Sequence, residues 1–429
     1  MTFATRPLRV LCFGEAATFA HVARPYCLAK ALDKRAFEVH FACDARYAYV
    51  HDDPAVRYHE IHSKSAQAFL DAIETGAALY SKRELIGYTE EDLALIRHVE
   101  PDVVVGDFRH SLSVATRLAG VPYVALINAY WSTGVDDPVL PVPEIRGLNM
   151  SRLPFVPRLM PLMGRIVLAF QARALDGARR HFSLPPFASC RAGWTFGDRV
   201  GYYDSPSLVP LAALPAGHAY LGPVSWSPAV GLPDWWTSLD EGRPVVYVSL
   251  GSSGDVSLTD RIVDGLLGAG LQVVTTSGGR YLPAPREGLY TASFLPGAEI
   301  ARRADLVISN GGSPTGYQAL GEGTPVIGIP TNMDQLLAMR YIERYGAGLT
   351  VRPVRVRRGE LPAIVARMLA DPAYAARARE VAGAFAQMDP FTAFPALLRE
   401  AVEAHGANSA QAAGAAVPRA AMPAAATAH

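Results

Sequence analysis

A glycine pair between a strand-like run and a helix-like run is the segment whose spacing best suits ligand chemistry. The β-branched residues 306–308 predict a buried parallel strand, and Gly311 and Gly312 follow it. Glycines let the chain turn tightly and let a phosphate approach the backbone. Ser313 and Pro314 suit the N-cap and the first position of a helix. Free N–H groups and the helix dipole would therefore create an anion site.

Three more polar residues lie near this turn. Thr315 adds a hydroxyl in the first helical turn, and Asp334 and Gln335 follow the next predicted strand, 326–329. Because open α/β sheets hold ligands at the carboxyl edge of their strands, both residues are expected at the site. The alternative is that Asp334 caps a helix.

The first half of the chain offers a histidine and an aspartate near the ends of predicted strands. His21 lies in the loop after strand 8–13, and histidine accepts protons near neutral pH. Asp107 ends the apolar run 102–107. On local sequence alone, a surface-loop histidine is the simpler interpretation of His21, and Asp107 equally suits a helix N-cap.

The order of residues 310–335 resembles the donor-binding signature of inverting nucleotide-sugar glycosyltransferases of the GT-B fold. This class includes the UDP-glycosyltransferases and the bacterial antibiotic and rhamnosyl transferases. Its signature contains a His-Gly-Gly-x-x-Thr run, a Glu-Ala-Leu run, a strand that ends in proline, and an Asp-Gln pair. The matching positions are Gly311, Gly312, Thr315, Ala319, Leu320, Gly323, Pro325, Pro330, Asp334 and Gln335. Two positions differ, since Asn310 replaces the histidine and Gln318 replaces the glutamate.

The resemblance implies that His21 is the catalytic base and that Asp107 is its partner. A carboxylate bonded to one ring nitrogen fixes the tautomer and stabilises the imidazolium that forms. The family has a Gly-His-x-x-Pro type segment here, and Pro25 comes one place later in this chain. Glu15, close to His21 in sequence, is a reserve candidate for either role.

The resemblance also implies the contacts of the sugar donor. The small residues Gly251 and Ser252 would let phosphates approach the backbone, and Phe294 would stack on the nucleotide base. Asp334 and Gln335 would bind sugar hydroxyls, because a carboxylate and an amide together accept and donate. No cofactor and no obligatory metal are implied, since the nucleotide-sugar is a co-substrate.

The two departures from the signature bear on the donor. Asn310 would donate to the diphosphate, as the family histidine does. In UDP-using relatives the glutamate at the position of Gln318 accepts from both ribose hydroxyls, whereas a glutamine keeps one acceptor oxygen. One acceptor suits a deoxyribose, so Gln318 favours a dTDP-linked sugar over a UDP-linked one. The opposing interpretation is that Gln318 binds one ribose hydroxyl and that Phe294 and the base pocket set the specificity.

Composition favours an enzyme over a nucleic-acid-binding protein. The chain has 429 residues, with 40 acidic and 40 basic side chains, so it carries no general positive field. Four scattered cysteines show no metal-type spacing and predict reduced thiols. We find no signal peptide and no apolar run of membrane-spanning length, and we therefore expect a cytoplasmic protein.

Strand-like runs alternate with helical patterns in both halves of the chain. This alternation predicts two Rossmann-like, doubly wound parallel-sheet α/β domains, and the resemblance implies that they face each other across a cleft. The predicted parts are an acceptor-binding domain (1–211), a connection (212–242), a donor-binding domain (243–388), a helix that crosses back to the first domain (389–405) and a disordered Ala-rich tail (406–429).

The acceptor side has weaker signals. Tyr130 and Trp131 follow a strand and would line an apolar acceptor cleft, or they are ordinary packing aromatics. Residues 152–182 combine arginines with large apolar side chains. Such a stretch suits a membrane surface or a lipid acceptor, or it is a core-facing helix with a solvated basic face.

These features predict an inverting glycosyltransferase that moves a hexose or deoxyhexose from a dTDP- or UDP-linked donor to a hydroxyl of a lipophilic acceptor. The partners are then the nucleotide-sugar and a hydrophobic acceptor, with no nucleic acid, and the protein is a monomer or homodimer that is cytoplasmic or peripheral at the inner membrane face. The alternatives are a non-catalytic GT-B accessory or nucleotide-binding subunit and a GT-B nucleotide-sugar epimerase.

Overall fold

The computed structural model describes residues 6–142, 156–187, 189–251, 253–276 and 281–415. Within them the chain forms two parallel sheets, one of seven strands and one of six, with helices between successive strands. The predicted two-domain architecture of doubly wound sheets is confirmed.

The first sheet has the order β3-β2-β1-β4-β5-β6-β7. Its strands are β1 (Leu8–Gly14), β2 (Phe37–Cys43), β3 (Val56–Glu60), β4 (Val103–Asp107), β5 (Tyr123–Ile127), β6 (Arg199–Tyr202) and β7 (His218–Tyr220). Its helices are α1 (Ala20–Ala31), α2 (Ala66–Thr75), α3 (Lys82–Val99), α4 (Leu112–Ala119), α5 (Val156–His181) and α6 (Cys190–Trp194). β4 and β5 are buried along their whole length, as parallel strands covered by helices on both faces must be.

The second sheet has the order β10-β9-β8-β11-β12-β13. Its strands are β8 (Val245–Ser249), β9 (Gln272–Thr276), β10 (Leu289–Ala292), β11 (Leu306–Ser309), β12 (Val326–Gly328) and β13 (Gly348–Thr350). The helices of this half are α7 (Thr259–Gly268), α8 (Gly297–Arg303), α9 (Ser313–Gly321), α10 (Met333–Tyr345), α11 (Pro353–Arg357), α12 (Leu361–Ala370), α13 (Pro372–Ala386) and α14 (Pro390–Ala415).

The register of the first sheet sets the position of its loops. Gly14 at the end of β1 pairs with Asp107 at the end of β4, so the loop that begins at Gly14 lies beside Asp107. α1 begins at Ala20 and contains Pro25, which places His21 in the first helical turn. The displaced proline is therefore accommodated inside a helix.

Three details differ from the sequence-based expectations. Gly312, not Ser313, occupies the N-cap position of α9, and Pro314 lies in its first turn. β7 lies within 212–242, so part of the predicted connection belongs to the first sheet. α14 continues past 405 to Ala415, and residues 416–429 of the predicted tail lie outside the described residues. Phe394 and Leu398 of α14 are buried in the core of the first domain.

A buried ionic cluster supports the turn that follows Asp107. Arg109 is fully buried, and its guanidinium donates to Asp92 at 2.8 Å and to Glu15 at 3.0 Å. It also lies over the ring of Tyr88, 4.4 Å from the centroid. Glu15 is therefore a partner of Arg109 through its Oε2, and the reserve role that the sequence suggested stays a prediction.

We expect Arg109→Met to lower the free energy of unfolding by about 3–5 kcal/mol, because it leaves two carboxylates buried without a cation. Urea denaturation at neutral pH measures the change. Arg377→Met is the matched control, since its ion pair with Glu380 is about half exposed on both sides and should contribute far less. Equal losses in the two variants would contradict the structural role of the cluster.

Candidate active site

His21 and Asp107 form a direct contact at the carboxyl edge of the first sheet. Nδ1 of His21 lies 2.7 Å from Oδ1 of Asp107. The second carboxylate oxygen, Oδ2, accepts from the hydroxyl of Tyr203 at 2.9 Å and lies 3.2 Å from Nη2 of Arg24. The sequence thus placed the pair correctly, although it missed Arg24 and Tyr203.

The charge state of Asp107 determines which nitrogen of His21 is free. Burial raises the pKa of Asp107, but the charges of Arg24 and His21 and the hydrogen bonds outweigh it and lower the pKa below its ordinary value. An ionised carboxylate only accepts, so Nδ1 of His21 carries the hydrogen. Nε2 is then the nitrogen that can accept a proton.

Phe108 holds the imidazole from one side. It has a left-handed backbone conformation with φ of 61°, which costs a non-glycine residue about 1–3 kcal/mol. Its ring is stacked on the ring of His21 with a centroid distance of 4.6 Å and an interplanar angle of 9°. The turn after β4 therefore fixes both the carboxylate and the plane of the histidine.

A cavity of about 920 Å³ lies between the two domains and joins the predicted catalytic and donor residues. From the first domain it is lined by His21 and Phe108, and from the second by Gly312, Thr315 and Asp334. The start of α1 and the N-terminus of α9 therefore line the same cavity. Such interdomain clefts at strand carboxyl ends are where α/β proteins bind small molecules.

Asn310 organises the glycine turn. Its Oδ1 accepts from the backbone N–H of Gly312 at 3.0 Å, and its Nδ2 donates to Oγ of Ser253 at 3.1 Å. Gly311 has φ of 82°, a conformation that favours glycine. Gly251 lines the cavity beside Asn310. Ser252 lies outside the described residues.

Asp334 and Gln335 have different environments. The amide of Gln335 is buried, donates to Ser253 at 3.1 Å and accepts from the backbone of Thr331 at 2.8 Å. Asp334 uses only Oδ1, which accepts from Trp131 at 2.8 Å and from Tyr130 at 3.1 Å. Its Oδ2 has no partner among the described residues, so Asp334 is the member of the pair that can accept from a ligand.

Of the two aromatic residues that the sequence predicts to contact the acceptor, only one lines the cavity. Trp131 lines the cavity, as predicted. Tyr130 is fully buried and does not line it, because its hydroxyl is committed to Asp334. The prediction that Tyr130 contacts the acceptor is therefore wrong, and the residue acts as a support for Asp334.

Phe294 and Gln318, which the sequence predicts to contact the nucleoside, lie in the same cavity. Phe294 is exposed and lines the cavity, as does Gln318. A Cβ placed on Gly297 would lie only 2.2 Å from Oε1 of Gln318. The glycine therefore provides the space that the glutamine side chain occupies.

A buried polar network that sequence reasoning missed links the His21–Asp107 pair to α9. Arg24 donates to Oδ1 of Asn128 at 2.9 Å, and Asn128 donates to Asp204 at 3.1 Å. Tyr317 of α9 donates to the same carboxylate, and burial raises the pKa of Asp204 to about 6. Asn128 and Asp204 follow β5 and β6 closely, so their place at the carboxyl edge was the available signal.

Two Rossmann-like domains with this cleft between them define the fold class of the protein, which is GT-B. Residues 234–394 match the family described as Erythromycin biosynthesis protein CIII-like, C-terminal domain. The solved structure of the spinosyn rhamnosyltransferase SpnG in complex with thymidine diphosphate has the same fold. It superposes with a TM-score of 0.65 at 18% identity, covering 91% of this chain and all of that one.

Relatives with closer sequences define the family. A PGL/p-HBAD biosynthesis glycosyltransferase of Mycobacterium tuberculosis is 40% identical over 400 residues, which is 92% of each chain. A PGL/p-HBAD biosynthesis rhamnosyltransferase of Mycobacterium bovis is 40% identical over 89% of this chain and 85% of its own. The chain belongs to this family of PGL/p-HBAD biosynthesis glycosyltransferases, and its activity is glycosyl transfer.

We expect Asn310→Ala to weaken nucleoside diphosphate binding by about 1 kcal/mol, because the turn loses two hydrogen bonds and the cleft loses an amide donor. Asn310→Asp is the matched variant, since it keeps the shape of the side chain and places a carboxylate beside the phosphates. Calorimetry should rank the affinities as wild type, then alanine, then aspartate. Wild-type affinity in the aspartate variant would remove Asn310 from the diphosphate site.

Proposed function

We propose that the protein is an inverting glycosyltransferase that transfers a deoxyhexose from a dTDP-linked donor to a hydroxyl of a lipophilic acceptor. The observation that carries the proposal is the hydrogen-bonded His21–Asp107 pair in the same cavity as the N-terminus of α9. One cleft thus offers both a proton acceptor and an anion site.

The proposed reaction is a single displacement. Nε2 of His21 takes the proton of the acceptor hydroxyl while its oxygen forms a bond to the anomeric carbon. The bond from that carbon to the diphosphate oxygen breaks on the opposite face, so the configuration inverts. The imidazolium is stabilised by the ionised Asp107 until the proton leaves to solvent.

The leaving nucleoside diphosphate gains negative charge that the second domain is suited to stabilise. Ser313 and Thr315 at the start of α9 line the cleft, where their backbone N–H groups, the hydroxyl of Thr315 and the helix dipole would favour an anion. The free Oδ2 of Asp334 would accept from a sugar hydroxyl. No step in this scheme requires a metal.

Apolar side chains support a lipophilic acceptor. On the side of the first domain, the cavity is lined by Phe69, Leu70, Ile73, Met160, Met163, Leu168 and Trp194. A hydroxyl that reaches His21 through this region must belong to a molecule with a large apolar part. The names of the family members, which include a rhamnosyltransferase, support a deoxyhexose as the sugar.

We expect His21→Ala to lower kcat by roughly two to four orders of magnitude, the usual contribution of a general base. Asp107→Asn should also lower kcat, because the amide does not hold the Nδ1–H tautomer in the same way, whereas donor affinity should change little. Release of nucleoside diphosphate in the presence of an acceptor measures turnover. His98→Ala, at an exposed histidine outside the cavity, is the control. Wild-type turnover in either site variant would refute the assignment of the pair.

The preference for dTDP rests on Gln318 and its neighbour Gly297. A glutamine keeps one acceptor oxygen for the single 3′ hydroxyl of a deoxyribose, and it avoids the desolvation cost of an unpartnered carboxylate. The space beside Gly297 fixes where the amide can lie. The solved relative SpnG binds thymidine diphosphate, which supports the same choice here.

We expect the wild type to bind dTDP more tightly than UDP and Gln318→Glu to shift the preference toward UDP, as measured by calorimetry. Gly297→Ala should weaken the binding of both nucleotides, because its Cβ would displace the Gln318 amide. Gly268→Ala is the control, since a Cβ there meets open space. Tighter binding of UDP by the wild type, with no shift in the glutamate variant, would refute the dTDP preference.

A further inference from the structure

The first half of α5 exposes a row of large apolar side chains. Leu159, Leu162, Ile166 and Phe170 are all exposed, and Leu162 and Ile166 leave 62% and 60% of their surface accessible. Their spacing of three and four residues places them on one face of the helix. Soluble surfaces seldom expose such a continuous row without a binding role.

This row is continuous with the apolar part of the cavity. Met160 and Met163 of α5 line the cavity, and Val167 both lines it and is 45% exposed. Val167 therefore connects the inner surface of the cavity with the outer face of the helix. Gln171 fixes α5 to the segment after α2, because its Nε2 donates to the carbonyl of Ala77 at 2.9 Å.

The charges around the row are positive. Arg158, Arg165 and Arg173 are exposed on α5, and the guanidinium of Arg173 lies 5.8 Å from the centre of the Phe170 ring. Asp176 is the acidic residue of the helix, and it is buried. Within the described residues Arg158 and Arg165 form no ion pair. This face of α5 therefore complements a layer whose outer groups are anionic and whose interior is apolar.

We propose that the outer face of α5 docks on an anionic lipid surface, with Leu159, Leu162, Ile166 and Phe170 in the boundary between headgroups and acyl chains and the arginines on lipid phosphates. Among the described residues, none of the helices has both the length and the apolar character needed to span a bilayer. Docking in this orientation brings the apolar opening at Val167 to the lipid, so that a lipophilic acceptor reaches His21 without crossing water. This last step rests on the proposed function, whereas the docking itself does not.

The test is co-sedimentation of the full chain with phosphatidylcholine vesicles that contain or lack phosphatidylglycerol. We expect binding that requires the anionic lipid and weakens with salt. Leu162→Ser with Ile166→Ser should lower the partition coefficient by about tenfold or more, since both side chains leave the lipid. Arg158→Gln with Arg165→Gln should lower it by about tenfold or more at low salt, since each arginine near an anionic surface contributes to binding.

The controls separate this proposal from folding defects and from the proposed function. None of the four substituted residues lines the cavity, so dTDP affinity should be unchanged in both double variants. Leu214→Ser and Arg35→Gln change exposed residues elsewhere and should leave vesicle binding unchanged. No binding of the wild type to anionic vesicles, or wild-type binding by either double variant, would overturn the proposal. So would concentration-dependent self-association that the apolar double variant abolishes in the absence of lipid.

Discussion

The buried carboxylate of Asp107 is the constraint on which the arrangement of the site depends. A charge removed from water must be compensated by partners with good geometry, and an uncompensated one would cost several kcal/mol. Here the partners come from two other elements, with His21 and Arg24 in α1 and Tyr203 after β6. Because the same carboxylate needs all three, the position of α1 and the orientation of the imidazole are fixed together.

The hydrogen-bond network that compensates the charge of Asp107 continues into the second domain. Arg24, which is required by Asp107, also donates to Asn128, and Oδ1 of Asn128 accepts from Ser313 of α9 at 3.3 Å. A second connection runs from Trp131 to Asp334 at the start of α10. The groups proposed to act on the acceptor and on the donor are thus held in one arrangement by side chains at the carboxyl edges of both sheets. Loss of one of these interdomain contacts is therefore expected to affect the donor and the acceptor together.

Hydrophobic patterning predicted most of the strands that contain an apolar run and missed several of the short strands. β4, with its continuous run of valines, lies within the apolar run 102–107 that the sequence indicated. β3 and β7 are short and half-exposed, and they have no continuous apolar run, so hydrophobic patterning gave no signal for them. Among the site residues, those of the donor signature were recognisable by order, whereas Arg24 and Asp204 were not. Their roles arise from tertiary neighbours that no spacing along the chain encodes.

The two departures from the family signature, Asn310 and Gln318, each lie against glycines that are neighbours in space. Asn310 is enclosed by glycines, since a Cβ on Gly251 or Gly312 would lie 3.2 Å from its amide atoms. Gln318 in the same way occupies the space left by Gly297. In both cases an amide replaces an ionisable side chain and lies against the backbone of a glycine. Restoring the family residue therefore has different consequences at the two positions, because glutamate has the shape of glutamine at 318, whereas histidine is larger than the asparagine enclosed by Gly251 and Gly312 at 310.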